Sequence, residues 1–161
     1  MFSNETIGIL KTYKWDLNRK EDISELEEFF QKNKFELNDL VKNFIRNFYM
    51  LDIKHYIYCN DSKVRSFFDP IYAFNRVFVE TIDSYVEIVG EDLIVIGEGL
   101  NGMLLMMSLT GKIYAGFESY LYRFGEGLEE SVNNLICGNK PIQLSGYHDK
   151  RLKYEGENVQ C

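Results

Sequence analysis

Residues 93–116 read LIVIGEGLNGMLLMMSLTGKIYAG. Two apolar runs, 93–96 and 103–107, flank a glycine-rich interval containing Asn101-Gly102. That dipeptide is a strong hairpin signal, because both residues tolerate the positive φ angles of a tight turn. Thr110-Gly111 marks a second turn, and residues 112–115 read as the strand after it. Short apolar runs closed by such turns predict strands that fold back on one another in succession. A further strand is predicted between Phe117 and Phe124, so the middle of the chain reads as an antiparallel meander.

Upstream, the apolar residues recur with helical period. Residues 6–13 carry Ile7, Leu10 and Tyr13, and predict a short helix. Ser24-Glu25-Leu26-Glu27 has the form of a capping box, in which hydroxyl and carboxylate satisfy each other's orphan N–H groups. The helix it opens would bury Leu26, Phe29 and Phe30. A third helix is expected from Asn38 or Asp39, with Leu40, Val41, Phe44, Ile45 and Phe48 on one face. The period then shortens. Ile53, His55 and Ile57 alternate with Lys54, Tyr56 and Tyr58, as in a strand. A polar turn at Asn60-Asp61-Ser62 and a short strand over 66–68 follow. Asp69-Pro70 opens a helix, with Asp69 as cap and Pro70 at the first helical position. This helix spans 71–89, with a restart at Thr81 or Asp83, and turns Ile82, Tyr85, Val86 and Val89 to the core.

Downstream, Leu128, Val132, Leu135 and Ile136 define a last helix, closed by Gly138 where a left-handed residue is needed. The pattern fades after Pro141. One domain over 1–142 and a mobile polar tail over 143–161 are expected. Helices, then a sheet, then a helix make an α+β fold: an antiparallel meander packed with N-terminal helices, a central helix and a C-terminal helix.

The chain has 161 residues, 45% of them hydrophobic, enough for a packed core without staples. Its net charge of −7 gives no basic footprint for nucleic acid, so no direct nucleic-acid partner is expected. No apolar run approaches the roughly 18 residues of a membrane span, and the first residues lack the basic and apolar regions of a signal peptide. Cys59, Cys137 and Cys161 are too few and too scattered for a disulfide framework or a zinc site. A reducing cytoplasm is the expected compartment. The oligomeric state is not legible.

Chemistry is hard to find. Gly97-Glu98-Gly99-Leu100-Asn101-Gly102 has G-x-G-x-x-G spacing, but a dinucleotide loop needs a helix after it. Here a strand is predicted, so the glycines more simply serve a hairpin. His55 and His148 are far apart, and neither has metal-ligand company. No Ser or Cys stands in a nucleophile elbow. Glu126, Glu129 and Glu130 suit the positive end of a helix. No catalytic residue, metal site or cofactor is predicted.

Charge offers one lead. Between Arg76 and Lys112 there is no Lys or Arg, while Glu80, Asp83, Glu87, Glu91, Asp92 and Glu98 all fall there. Glu80, Asp83 and Glu87 recur at helical spacing and share a face. Such a face is either simply solvated or an acidic surface that steers a basic partner. Tyr85 and Tyr120 are candidate anchors beside it.

Several pieces, taken in order, resemble the third subgroup of the SUKH superfamily of bacterial immunity proteins. Trp15-Asp16-Leu17-Asn18-Arg19 is similar to its W-x-x-x-R element. Phe44-Ile45-Arg46-Asn47-Phe48 resembles the end of a helix before its first strand, and Ile96-Gly97-Glu98 resembles a strand ending in Gly-Glu. Thr110-Gly111-Lys112-Ile113-Tyr114 resembles its next turn and strand. Leu128 to Gly138, followed by Pro141, resembles its closing helix. Tyr49-Met50 stands where the family often has a glycine pair, and Val95 where it often has proline. The resemblance covers about residues 5–142. It implies an α+β domain without a cofactor, encoded beside a polymorphic toxin, typically a nuclease or deaminase, that binds and blocks that toxin. Trp15, Arg19, Gly97 and Gly138 are the motif residues, and Trp15 is expected as a core anchor with Arg19 satisfying nearby carbonyls or carboxylates. Two other readings stay open. One is a regulatory module with an endogenous partner. The other is a small-ligand binder, or an enzyme, with a pocket between the sheet and the 71–89 helix.

Overall fold

A computed structural model of the chain describes residues 1–58 and 60–146. Cys59, His148, Cys161 and most of the predicted polar tail lie outside these residues. In chain order the elements are α1 (Asn4–Lys11), α2 (Ser24–Lys32), α3 (Asp39–Phe48), β1 (Asp52–Ile57), β2 (Asn60–Phe67), α4 (Pro70–Phe74), α5 (Val79–Val89), β3 (Leu93–Gly99), β4 (Met103–Ser108), β5 (Ile113–Phe117), β6 (Tyr120–Arg123), α6 (Leu128–Cys137) and β7 (Ile142–Ser145). The strands form one sheet in simple sequential order, and each neighbouring pair is antiparallel. This is the α+β meander that the turn signals predict.

The central strands explain why their apolar runs are unbroken. Ile94, Ile96, Leu105, Met107, Ile113 and Ala115 pack with Leu10, Leu26, Phe30, Phe44, Phe48, Val132 and Ile136 in one core. Their neighbours Leu93, Val95, Leu104, Met106, Tyr114 and Leu121 pack with Ile82 and Tyr85 in a second. Successive residues point to opposite faces, so α1, α2, α3 and α6 cover one face of this region and α5 covers the other. A strand buried on both faces loses its polar alternation.

The turns obey local chemistry. Leu100, Asn101 and Gly102 all take positive φ between β3 and β4, and Gly99 pairs with Met103. The G-x-G-x-x-G spacing therefore belongs to a strand–turn–strand unit. Gly138 caps α6 in the left-handed region at φ 71°. Asn38 accepts a hydrogen bond from the Val41 N–H at the start of α3, and Asp69 accepts one from the Tyr72 N–H at the start of α4.

Some expectations need correction. The capping box at 24–27 does not form. Ser24 is already helical, and Asp22 accepts from both its N–H and its hydroxyl, which holds the Asp22 carboxylate below its ordinary pKa. Glu27 instead pairs with Lys42 and Arg46 on α3. The expected break in the 71–89 helix is present, but it falls at residues 75–78 and the second helix starts at Val79, before Thr81 and Asp83. The predicted turn at Asn60-Asp61-Ser62 is instead the start of the second strand, which runs over Asn60–Phe67 with Asn60 opposite Ile57, six residues ahead of the predicted start at Ser66. Leu40 is not on the buried face of α3; it is 37% exposed. Finally, the pattern does not stop at Pro141, since Ile142–Ser145 pairs with β6 as an edge strand.

Candidate functional site

The first cluster of polar geometry surrounds Trp15. The loop after α1 turns back on itself, the Trp15 N–H donating to the Leu10 carbonyl. Its indole is only 2% exposed and packs against Phe2 and Phe48. The indole Nε1–H donates to Asn47 Oδ1 at 2.6 Å, and Asn47 Nδ2 donates to the Arg19 carbonyl at 2.8 Å. Arg19 donates from Nη1 to the Asn47 carbonyl and from Nη2 to the Tyr49 carbonyl, and pairs with Glu21. These bonds satisfy carbonyls at the end of α3, which no helical N–H reaches. Trp15, Arg19 and Asn47 form a clasp that fastens the loop to α3. A buried indole N–H needs such a partner.

Gly97 sits where two parts of the sheet meet. A Cβ there would lie 2.2 Å from the Phe67 carbonyl oxygen, so only glycine allows β2 to approach β3. The contact is narrow: β2 and β3 pair only at Ser66–Gly99 and Phe67–Glu98. Beside it lies His55, 2% exposed. Its Nδ1–H donates to the Tyr56 carbonyl at 2.9 Å, so its Nε2 accepts from the Ser66 hydroxyl at 2.8 Å. Burial pushes the imidazole pKa below its ordinary value, which favours the neutral ring. This is a satisfied structural histidine.

The acidic window divides in two. Glu80, Asp83 and Glu87 lie exposed along α5, and Asp92 is exposed in the turn after it. None of these four has an ion pair among the described residues. Glu91 and Glu98 do not join them. Lys112 and Thr110 both donate to Glu91, and the Lys112 bond is the main cause of its lowered pKa. Glu98 accepts from Arg76 Nε at 3.0 Å. The two cations that bound the window in sequence thus fold back onto two of its carboxylates, Arg76 onto Glu98 and Lys112 onto Glu91, which the linear pattern does not reveal. Tyr85 is no surface anchor: it is 2% exposed, packs against Gly116 and donates to the Glu118 carbonyl. Tyr120 is half-buried. The exposed apolar neighbours of the ridge are Phe78, at 80% exposure, with Val79 and Ile88. Nothing in the periodicity marked Phe78, since it lies at the helix break.

Between the sheet and α4–α5 lie a cleft of about 150 Å³ lined by Arg76, Thr81, Tyr85, Glu98 and Phe117 among others, and a more open one of about 580 Å³ lined by Ser84, Tyr85, Ile88, Glu118 and Ser119 among others. A hollow of about 280 Å³ lies on the other face, between Tyr58, Leu100, Met103, Tyr122, Phe124 and Leu135. Among the described residues no group of three or more His, Cys, Asp or Glu side chains is placed to hold a metal ion. No helix there is long and apolar enough to cross a membrane.

The SUKH-3 immunity protein family matches residues 2–138, a span running from before α1 to the cap of α6. The chain belongs to the SUKH-3 immunity protein family. No curated protein and no solved structure matches it. The SUKH-3 span takes in the Trp15–Arg19 clasp, the Gly97 junction, the acidic ridge of α5 and the Gly138 cap, and among the described residues it leaves out the strand β7.

Proposed function

We propose that this SUKH-3 protein is an immunity protein that binds one cognate toxin domain, in the cytoplasm of the cell that makes both, and blocks it without catalysing a reaction. Family membership carries this reading, because the family is one of immunity proteins. The exposed ridge Glu80, Asp83 and Glu87, with Asp92 near its end, supports a basic partner surface. A nuclease fits that requirement, since its own site must attract phosphate. The acidic field would raise the encounter rate. Phe78, exposed beside the ridge, offers the aromatic anchor on which interface energy tends to concentrate. Glu91 and Glu98 are left out of the contact set because their charges are already paired inside the protein.

The test is direct. The purified chain is mixed with the toxin domain encoded by the neighbouring gene, complex formation is measured by calorimetry, and nuclease activity is assayed with and without the chain. A tight complex with lost toxin activity is expected. Absence of both would remove the reading.

A further inference from the structure

The β1–β2 hairpin has one buried face and one open face. The open face carries Lys54, Tyr56, Lys63, Arg65 and Phe67 in cross-strand register, and α4 with the loop after it adds Tyr72 and Arg76. The arginines are stacked. The Arg65 guanidinium lies 5.2 Å from the centre of the Phe67 ring, and that of Arg76 lies 5.1 Å from the Tyr72 ring. The two rings meet edge to face at 5.7 Å, so the four side chains form one block. Each guanidinium gives its Nε–H to a carboxylate of its own, Asp52 for Arg65 and Glu98 for Arg76. The terminal nitrogens of both arginines make no hydrogen bond to any other described residue. Arg65 lines a cleft of about 200 Å³ with Phe67, Tyr72, Glu98 and Asn101, and Arg76 lines the adjoining cleft, Glu98 being common to both.

An arginine held by stacking and by its Nε edge has little rotamer freedom left to lose, and its terminal fork matches a carboxylate. We propose that Arg65 and Arg76 are contact residues for the cognate toxin, and that they take a carboxylate-bearing segment of it, an Asp or Glu at each guanidinium. This rests on the immunity reading above. Charge complementarity commits the site to that occupant. Lys54, Lys63, Arg65 and Arg76 outnumber Asp52 and Glu98 here, in a chain whose net charge is −7. A nucleic acid fits less well. It draws affinity from successive phosphates, and the two carboxylates built into this block oppose a continuous polyanion. With the acidic ridge of α5 elsewhere on the surface, the protein then presents both signs of charge, which fixes the orientation of a partner as well as its approach.

The experiment uses the full chain and the toxin domain encoded by the neighbouring gene. Affinity is measured for the wild type, Arg65→Ala, Arg76→Ala, the double variant and Arg65→Lys, with circular dichroism and a thermal melt to show that each is folded. Each alanine should weaken binding by roughly tenfold or more, and Arg65→Lys should restore little, because lysine lacks the fork. Arg65→Glu should be rescued by a Lys replacing one toxin carboxylate. Hydrogen exchange at residues 63–76 should slow in the complex. If the wild type neutralises the toxin and the folded double variant binds equally well, this inference is overturned while the immunity function stands. If the wild type neither binds nor neutralises, both fall. If the double variant keeps its toxin affinity but loses binding of a fluorescent single-stranded oligonucleotide, the block is a nucleic-acid site and the inference is wrong.

Discussion

The sheet has two regions, each built on antiparallel strand pairs. Strands β3, β4 and β5 are covered on both faces, and Leu93 to Ile96 and Leu105 to Met107 are all at most 1% exposed. Strands β1 and β2 are covered on one face only. Ile53, His55, Val64 and Ser66 are buried there, while Lys54, Tyr56, Lys63 and Arg65 are exposed. Within the sheet the two regions are joined by two residue pairs, by the bond from the Leu100 N–H to the Arg65 carbonyl, and by the close approach that Gly97 permits. The first region gives its side chains to packing. The second keeps an alternating strand whose outer side chains remain available to another molecule. A fold that must present a distinctive surface on a common core can vary the second without disturbing the first.

The largest expected effect tests that division. Leu105, at 0% exposure in the centre of the main core, should cost about 2–5 kcal/mol when changed to alanine, through lost burial and the cavity left behind. Phe67→Ala, on the open face, should cost about 1 kcal/mol or less, because it loses only ring contacts near the surface. Urea unfolding of both variants measures the ratio. Equal losses would mean that the hairpin is as deeply integrated as the centre.

Next in size is the clasp. Asn47→Ala removes the acceptor of the Trp15 indole and the donor to the Arg19 carbonyl while leaving the packing of the ring. An orphaned buried N–H costs about 1–3 kcal/mol, readable in the same denaturant series. A loss near zero would mean that solvent reaches the indole once the asparagine is gone.

Legibility in the sequence follows the same physics. The centre was readable because its signals are local: Asn101-Gly102 and Thr110-Gly111 need only their own backbone angles, and Gly138 needs only the helix before it. The break between α4 and α5 left a trace at Thr81 and Asp83, but its location follows from the packing of Ala73 and Phe74. β7 left almost none, since an edge strand of four residues is specified by the partner it pairs with. The candidate surface was half legible. The run of acids between Arg76 and Lys112 is a fact of sequence. That Lys112 would return to Glu91, and Arg76 to Glu98, is long-range geometry with no linear signature. The stacked arginines were invisible for the same reason, because Phe67 and Tyr72 meet only after the chain turns at Asp69-Pro70.

A smaller effect follows from His55, which lies at the seam between the two regions. The folded state holds the ring neutral, its pKa pushed down by burial, whereas the unfolded chain takes up a proton near the ordinary value of about 6.5. Below that pH the unfolded state binds more protons, so stability falls as pH drops and levels only below the depressed folded value. Between about pH 5 and 6.5 few carboxylates contribute, so a slope there is the signature expected of a buried histidine such as His55. His55→Gln keeps an acceptor for the Ser66 hydroxyl and should flatten that slope. An unchanged slope would assign the acid sensitivity elsewhere.

The smallest effect on the fold is expected where the effect on binding should be clearest. Asp83 and Glu87 stand four residues apart on the exposed side of α5, and like charges at that spacing repel by a few tenths of a kcal/mol. Glu87 also sits toward the negative end of the helix dipole, whereas Glu80 sits at the positive end. Replacing Asp83 and Glu87 together by lysine should therefore leave stability within about 0.5 kcal/mol of the wild type. Association with a basic toxin surface should respond very differently. Steering acts on the encounter, so the on-rate should fall by about tenfold or more at low salt, with a much smaller change in the dissociation rate. The gap between variant and wild type should close as added salt shortens the screening length to a few ångströms. Arg65→Ala should show the reverse signature, a faster dissociation that salt does little to mask. If the α5 reversal leaves the on-rate unchanged at low salt, the ridge is a solvated helix face and the open face of the β1–β2 hairpin remains as the surface that meets the toxin.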